Sequence, residues 1–345
     1  MNTVSPFRYS QTIGFYAQTG RGFNNPVDVA LSRDGMLYVI NRAGADVAIR
    51  MAYKRVTICT LSEEFRGEFS SGGSGDGQLM WPVSAAVGPD DHLYISDEAL
   101  QGISVFDRQG QFLHKWGVQG QGAGEFDRPA GITFDANGHL LVVDGLNHRV
   151  QRYTPDGQFL AQWGRRGRGA GELNMPWGIA TDAENNVYVA DWRNDRIQKF
   201  DAQGVFQASW GTPGHGEGEL HRPAGVAVDA EGLLYIADWG NERVQVWTPD
   251  GEFLTLFYGE AELSSWAKDY FISNQDELEE REKADLEPHV DLSLYDGSPA
   301  DAFRETAASI EKRFWGPTAV KLDAEGRIYI VDSCRHRLQV YCKDM

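Results

Sequence analysis

The sequence predicts an all-β fold, a six-bladed β-propeller of four-stranded antiparallel blades, with its ring closed by the N-terminal strand and one mostly helical insertion. Three observations predict it. Pro82, Pro129, Pro176 and Pro223 stand 47 residues apart, and a fixed period of that length marks stacked copies of one supersecondary unit. Each copy reads as four short β-rich runs separated by turn residues. The outermost run that the last copy lacks is found at the other end of the chain.

The third copy shows the unit: Pro129-Ala-Gly-Ile-Thr-Phe-Asp135, His139-Leu-Leu-Val-Val-Asp144, Asn147-His-Arg-Val-Gln-Arg-Tyr153 and Gln158-Phe-Leu-Ala-Gln-Trp-Gly164. Four antiparallel strands repeated about an axis form the blades of a propeller, which leaves only short, protected edges. At the N-terminus, Tyr9 and Ile13 precede Pro26 by 17 and 13 residues, the spacing at which Phe112 and Trp116 precede Pro129. The N-terminal run therefore completes the last blade and removes two exposed edges. Pro26 to Pro82 spans 56 residues, nine more than the period, and the positions of Arg55, Phe65 and Phe69 place the excess between Asn41 and Lys54. Pro223 to Pro317 spans 94, an excess equal to a whole repeat. Residues 261–314 lack glycine until Gly297 and include Asp276-Glu-Leu-Glu-Glu-Arg-Glu-Lys-Ala284, a composition that favours helix. The expected organisation is one propeller over 1–345, with 261–314 inserted between blades five and six.

The repeated Asn-x-Arg-(Val/Ile)-Gln segment begins at Asn147, Asn194 and Asn241, with Asp three residues earlier and Pro-x-Gly opening the unit. In these features the chain resembles the NHL-repeat propellers, specifically the bacterial-type proteins without a RING finger, over all but the insertion. The resemblance implies the fold. Function is left open by it, because related propellers include RNA-binding and partner-binding domains, sensors, an amidating lyase and lactonases. The lyase places metal-binding His just after the Pro of several blades, and the lactonases use Asn or Asp at comparable inner positions. Here those positions hold Val27, Val83, Ala130, Trp177, Ala224 and Thr318, none a good metal ligand. The eight histidines scatter along the chain. No metal and no cofactor is expected. Arg42 alone resembles an active-site Arg that follows the second strand of the lyase's first blade.

A formal net charge of -18 opposes long-range attraction of a polyanion. Arg165, Arg166 and Arg168 in one loop, and Arg42, Arg50, Lys54 and Arg55 in another, read as solvated loops, and no nucleic-acid partner is expected. No segment approaches the roughly 18 apolar residues of a membrane span, and the first residues lack a signal-peptide stretch. The expected location is cytoplasmic, with no membrane partner. Cys59, Cys334 and Cys342 have no metal-site spacing, and a ring of this size does not depend on disulfides.

The insertion holds 14 Asp or Glu against 6 Lys or Arg, a charge run of the kind solvated helices carry. Its aromatic and aliphatic residues, among them Trp266, Tyr270, Phe271, Leu292, Leu294, Tyr295, Phe303 and Phe314, need a surface to pack on. Because strand direction alternates within a blade, the enlarged loop of blade one and the insertion emerge on the same face. Elaborated loops on a rigid scaffold are where binding or catalysis is placed. Departures from the repeat converge there: Asp28 in place of Gly, Asn41-Arg42 in place of Asp-x, and Trp177 where Ala130 and Ala224 stand. With Trp192, Arg193 and Trp239 these form the candidate ligand site: Asp28, Asn41, Arg42, Trp177, Trp192, Arg193 and Trp239. Two functions are compatible with it. One is a non-catalytic propeller recognising a small molecule, peptide or partner protein, with the acidic insertion as lid or docking element and as a contact for homo-oligomers. The alternative is a metal-independent lyase or hydrolase with Asp28 as base and Arg42 stabilising an oxyanion.

Overall fold

The computed structural model describes residues 6–43, 53–291 and 297–344. Six four-stranded antiparallel sheets form the blades. Blade three runs Pro129–Phe134, Leu140–Asp144, Arg149–Tyr153 and Phe159–Trp163 from axis to rim. Blade six takes its outer strand from the other end of the chain: Phe7–Ile13 pairs antiparallel with Arg337–Lys343, Tyr9 opposite Tyr341 and Ile13 opposite Leu338. The closure expected from the spacing of Tyr9 and Ile13 is therefore present. Among the described residues the buried apolar side chains form six clusters, each shared by two adjacent blades. The core is thus a ring of seams rather than a single centre.

The repeat residues explain the blade's internal ties. In blade three one buried carboxylate, Asp144, accepts from Asp127 N at 2.7 Å, Asn147 Nδ2 at 2.9 Å, Arg149 Nε at 2.8 Å and Gln151 Nε2 at 3.0 Å. The Arg149 guanidinium also donates to the carbonyls of Gln121, Gly122 and Glu125 in the preceding inter-blade loop. Asp191 and Asp238 repeat the arrangement with Arg196 and Arg243. In each copy the buried carboxylate and the guanidinium are both paired, which is the condition under which such buried charges support a unique fold. The Gly-rich loops close on themselves: Glu172 accepts from Gly169 N at 2.8 Å, and Glu219 from Gly216 N at 2.8 Å. Those N–H groups therefore serve the chain's own carboxylates and not an external phosphate.

The Pro-x-Gly opening has a steric cause. A Cβ on Gly131 would meet Trp177 O at 2.4 Å, and one on Gly178 would meet Ala224 O at 2.5 Å. The innermost strands approach so closely there that only glycine fits. Register shifts at Pro26/Asp28, Pro82/Ser84 and Pro317/Ala319 mark β-bulges, which break the in–out alternation and let consecutive residues line the axis.

The insertion forms helices α1 (Ser265–Ser273), α2 (Gln275–Lys283) and α3 (Pro299–Ser309). Trp266 of α1 is buried in the seam between blades six and one, against Phe23 and Phe65. Helix α3 starts at a capping box of Ser298 and Asp301 with Pro299 in its first turn, a strong start signal. It packs on the Trp239–Asn241 turn of blade five, where Arg304 meets Glu242 at 3.1 Å. Its last carbonyls, Ala307 and Ala308, accept from Arg335 of blade six at 2.9 and 2.7 Å. Leu292, Leu294 and Tyr295, and Arg50 in the enlarged loop of blade one, lie outside the described residues.

Candidate functional site

The axial channel is lined by residues at the innermost strands of all six blades, among them Asp28, Ser84, Trp177, Ala224, Thr318 and Lys321. Its cavity volume is about 30 Å³, room for a water or two and no more. Asp28, 2 % exposed, is fully engaged. Its Oδ1 accepts from Val29 N at 2.9 Å; its Oδ2 accepts from Ser84 Oγ at 2.6 Å and Ala85 N at 3.0 Å, and faces Lys321 Nζ at 3.2 Å. Elsewhere the ring at this level is made by main chain, as in Gly131 N donating to Trp177 O at 2.8 Å. The Asp28 carboxylate takes over that role and ties blades six, one and two together.

Asn41 is wholly buried: its Oδ1 accepts from Asn24 N at 2.7 Å and its Nδ2 donates to Val39 O, Arg55 O and Thr57 Oγ1. It does for blade one what Asp144 does for blade three. Arg42 sits on the elaborated face, paired with the buried Glu98 and stacked over Trp81 at 5.4 Å. Trp177 is half-buried at the channel, its backbone N–H donating to Ala190 O. The structure therefore divides the seven candidates: Asp28 and Trp177 at the axis, Asn41 inside a blade, and Arg42, Trp192, Arg193 and Trp239 on the face.

On that face arginines lie over indoles. Arg128 joins Arg42 over Trp81, at 5.8 Å; Arg193 and Arg222 lie over Trp192 at 5.7 and 5.0 Å; Arg304 lies over Trp239 and Arg335 over Trp315, each at 5.4 Å. The sequence reading included only part of this set. Arg128 and Arg222 precede the blade-opening prolines and adopt φ of 56° and 51°, so position alone marked them, without a motif. Lys321 had a readable signal: its counterparts Ala30, Ala86, Thr133, Ala180 and Ala227 are all uncharged.

A second ring of contacts was not read from the sequence at all. The residue before the third strand is left-handed at Gln101, His148, Asp195, Glu242 and His336. Each side chain accepts from the backbone N–H just before the next blade's proline: Arg128 N at 2.7 Å, Met175 N at 3.0 Å, Arg222 N at 2.7 Å, Gly316 N, and, across the closure, Asn25 N at 2.9 Å. Burial, aided by Arg166 and Arg193, holds the His148 imidazole below its ordinary pKa. Burial pushes the Glu242 carboxyl up to about 7, against the pull of Gly316 N–H and Arg304. Among the described residues no three His, Cys, Asp or Glu are placed to hold a metal ion.

Family comparison agrees with this geometry. A six-bladed β-propeller model matches residues 83–162, and an NHL-repeat model matches 173–200, 220–247 and 314–341, one match in each of blades four, five and six. The chain is an NHL-repeat propeller. No curated protein matches its sequence. Solved structures similar to this NHL propeller include virginiamycin B lyase from Staphylococcus aureus, at 15 % identity over 97 % of this chain and 99 % of that one, with a TM-score of 0.57. A gluconolactonase from Xanthomonas campestris matches at 14 % identity over 97 % and 98 %, TM-score 0.55. An auxiliary nutrient binding protein from Bacteroides thetaiotaomicron matches at 12 % over 98 % and 76 %, TM-score 0.59. At such identities the NHL propeller shares a fold with them, and a fold does not carry function.

Proposed function

We propose that this NHL propeller is a non-catalytic binding module that recognises its partner on the elaborated face. One observation carries the reading: both groups that a metal-free reaction would need are already engaged within the protein. Asp28 accepts three hydrogen bonds and an ammonium contact, which leaves it no capacity to take a substrate proton. Arg42 is paired with Glu98 and stacked on Trp81. The channel beside Asp28 holds water at most. The face around it, in contrast, presents half-buried indoles and exposed guanidiniums, the residue types enriched where binding energy concentrates.

The insertion supports this reading as a wall of the site rather than a cover: α3 borders the face at Trp239, and no residue lining the channel comes from it. A thermal-shift screen of the full chain against metabolites, short peptides and divalent metals, followed by turnover assays on each stabilising compound, tests the proposal. A binder at ~100 times its Kd adds about 2.7 kcal/mol, readily seen as a melting shift. The expected result is a stabilising compound recovered unchanged. Turnover that Asp28→Asn or Arg42→Ala abolishes while binding survives would overturn it in favour of an enzyme.

A further inference from the structure

We propose, resting on the binding reading above, that the occupant of the elaborated face is an acidic peptide segment of a partner protein, its carboxylates held by Arg128, Arg193 and Arg222. These three arginines differ from the others of the repeat. Arg149, Arg196, Arg243 and Arg337 spend their guanidiniums on a buried Asp and on loop carbonyls, and Arg42 and Arg304 have Glu98 and Glu242. Arg128, Arg193 and Arg222 are exposed, and among the described residues their side chains meet no carboxylate and make no hydrogen bond. What each does meet is an indole face, Trp81 or Trp192.

That geometry selects a ligand. A guanidinium held near an indole face by cation–π attraction spends none of its N–H donors on that contact, and its planar fork suits bidentate capture of carboxylates. In a chain with 50 acidic against 32 basic residues acidic partners are abundant, yet the carboxylates beside these arginines are engaged elsewhere: Glu98 pairs with Arg42, and Asp195 accepts from the Arg222 backbone N–H. Arg128 and Arg222 also occupy left-handed backbone that glycine, as at Gly316 in blade six, adopts without a Cβ penalty. Keeping arginine at such positions is the kind of local cost that accompanies function. Trp81 and Arg128 stand at the openings of blades two and three, whereas Trp192 and Arg193 follow the second strand of blade four and meet Arg222 at the opening of blade five. A chain segment spans such an arc, whereas one small anion meets only one pair. A long polynucleotide would also have to run over the acidic remainder of a chain of net charge -18, and a short segment bearing a few carboxylates does not.

The test is fluorescence anisotropy of labelled octaglutamate with the full chain, beside octalysine, a Gly-Ser peptide and oligouridine. Variants are Arg128→Gln, Arg193→Gln, Arg222→Gln, their combination, and Arg66→Gln as a control on the rim, where Arg66 pairs with Glu64. The expected result is saturable binding of octaglutamate alone, weakened about tenfold by each face substitution, lost in the triple variant and unchanged in the control. Melting curves should show all variants folded. Binding of octaglutamate that survives the triple substitution would overturn the proposal. So would arginine-dependent binding of oligouridine without octaglutamate, which would leave the face as a binding site and change its partner. Failure of every probe here, with a hit in the thermal-shift screen, rejects the acidic ligand alone; failure of both rejects the binding reading too.

Discussion

Asp28 shows how a residue that looks catalytic in sequence becomes structural once its neighbours are known. It replaces the glycine of the repeat, and its carboxylate substitutes for a main-chain contact between blades while meeting Lys321. Asp28→Ala should cost about 2–4 kcal/mol, because it strands a buried hydroxyl and N–H and an ammonium. Lys321→Ala should cost less, since that side chain is a quarter exposed, and the double variant should be less destabilised than the sum. Additive melting shifts would mean the pair is not coupled. The side chains that latch each blade to the backbone N–H before the next blade's proline make a pH prediction. His148 has a lowered pKa and accepts at Nδ1, so its contribution is complete above its ordinary 6.5 and is lost as pH falls from there through the lowered folded value. Glu242 has the opposite sign: raised to about 7, it favours the fold most below its ordinary 4.5 and loses that contribution as pH rises through about 7. Melting curves of His148→Gln should flatten the acid side, and those of Glu242→Gln the neutral side. The latches were hidden in the sequence for a chemical reason. An amide, an imidazole and a carboxylate all accept a hydrogen bond, so residues that do one job share no identity for a repeat to display.

At the scale of elements, blade number, ring closure and the place of the insertion were all legible, since each follows from the same spacing recurring around the ring. The insertion's docking was not, because it depends on single contacts outside the repeat. Trp266 fills the closing seam, its indole N–H donates to Glu63 O, and the Glu63 carboxylate accepts from Gly14 N at 2.8 Å and from Ser265 N. Helix α1 thereby fastens the seam between blades six and one, where strands from opposite ends of the chain meet. Trp266→Ala should cost about 3–5 kcal/mol, measured by denaturant unfolding; a loss under 1 kcal/mol would contradict this role. Removal of residues 1–19 deletes the outer strand of blade six and exposes its edge. That truncation is expected to unfold or aggregate, and a melting curve like the parent's would refute it.

For the whole molecule, charge and shape point the same way. A strongly acidic propeller carries its exposed, carboxylate-free arginines over tryptophans on one face, while its axis is closed by side chains already bonded to one another. Binding at that face should weaken as salt rises, because partly exposed charges supply the attraction; affinity unchanged between low and high salt would indicate an apolar contact instead. The most direct test of a binding face is hydroxyl-radical footprinting of side chains with and without octaglutamate. Trp81 and Trp192 should become protected, while Trp116 and Trp163 on the outer strands keep their reactivity. Protection on the outer strands, or none at Trp81 and Trp192 when the peptide is bound, would contradict the account.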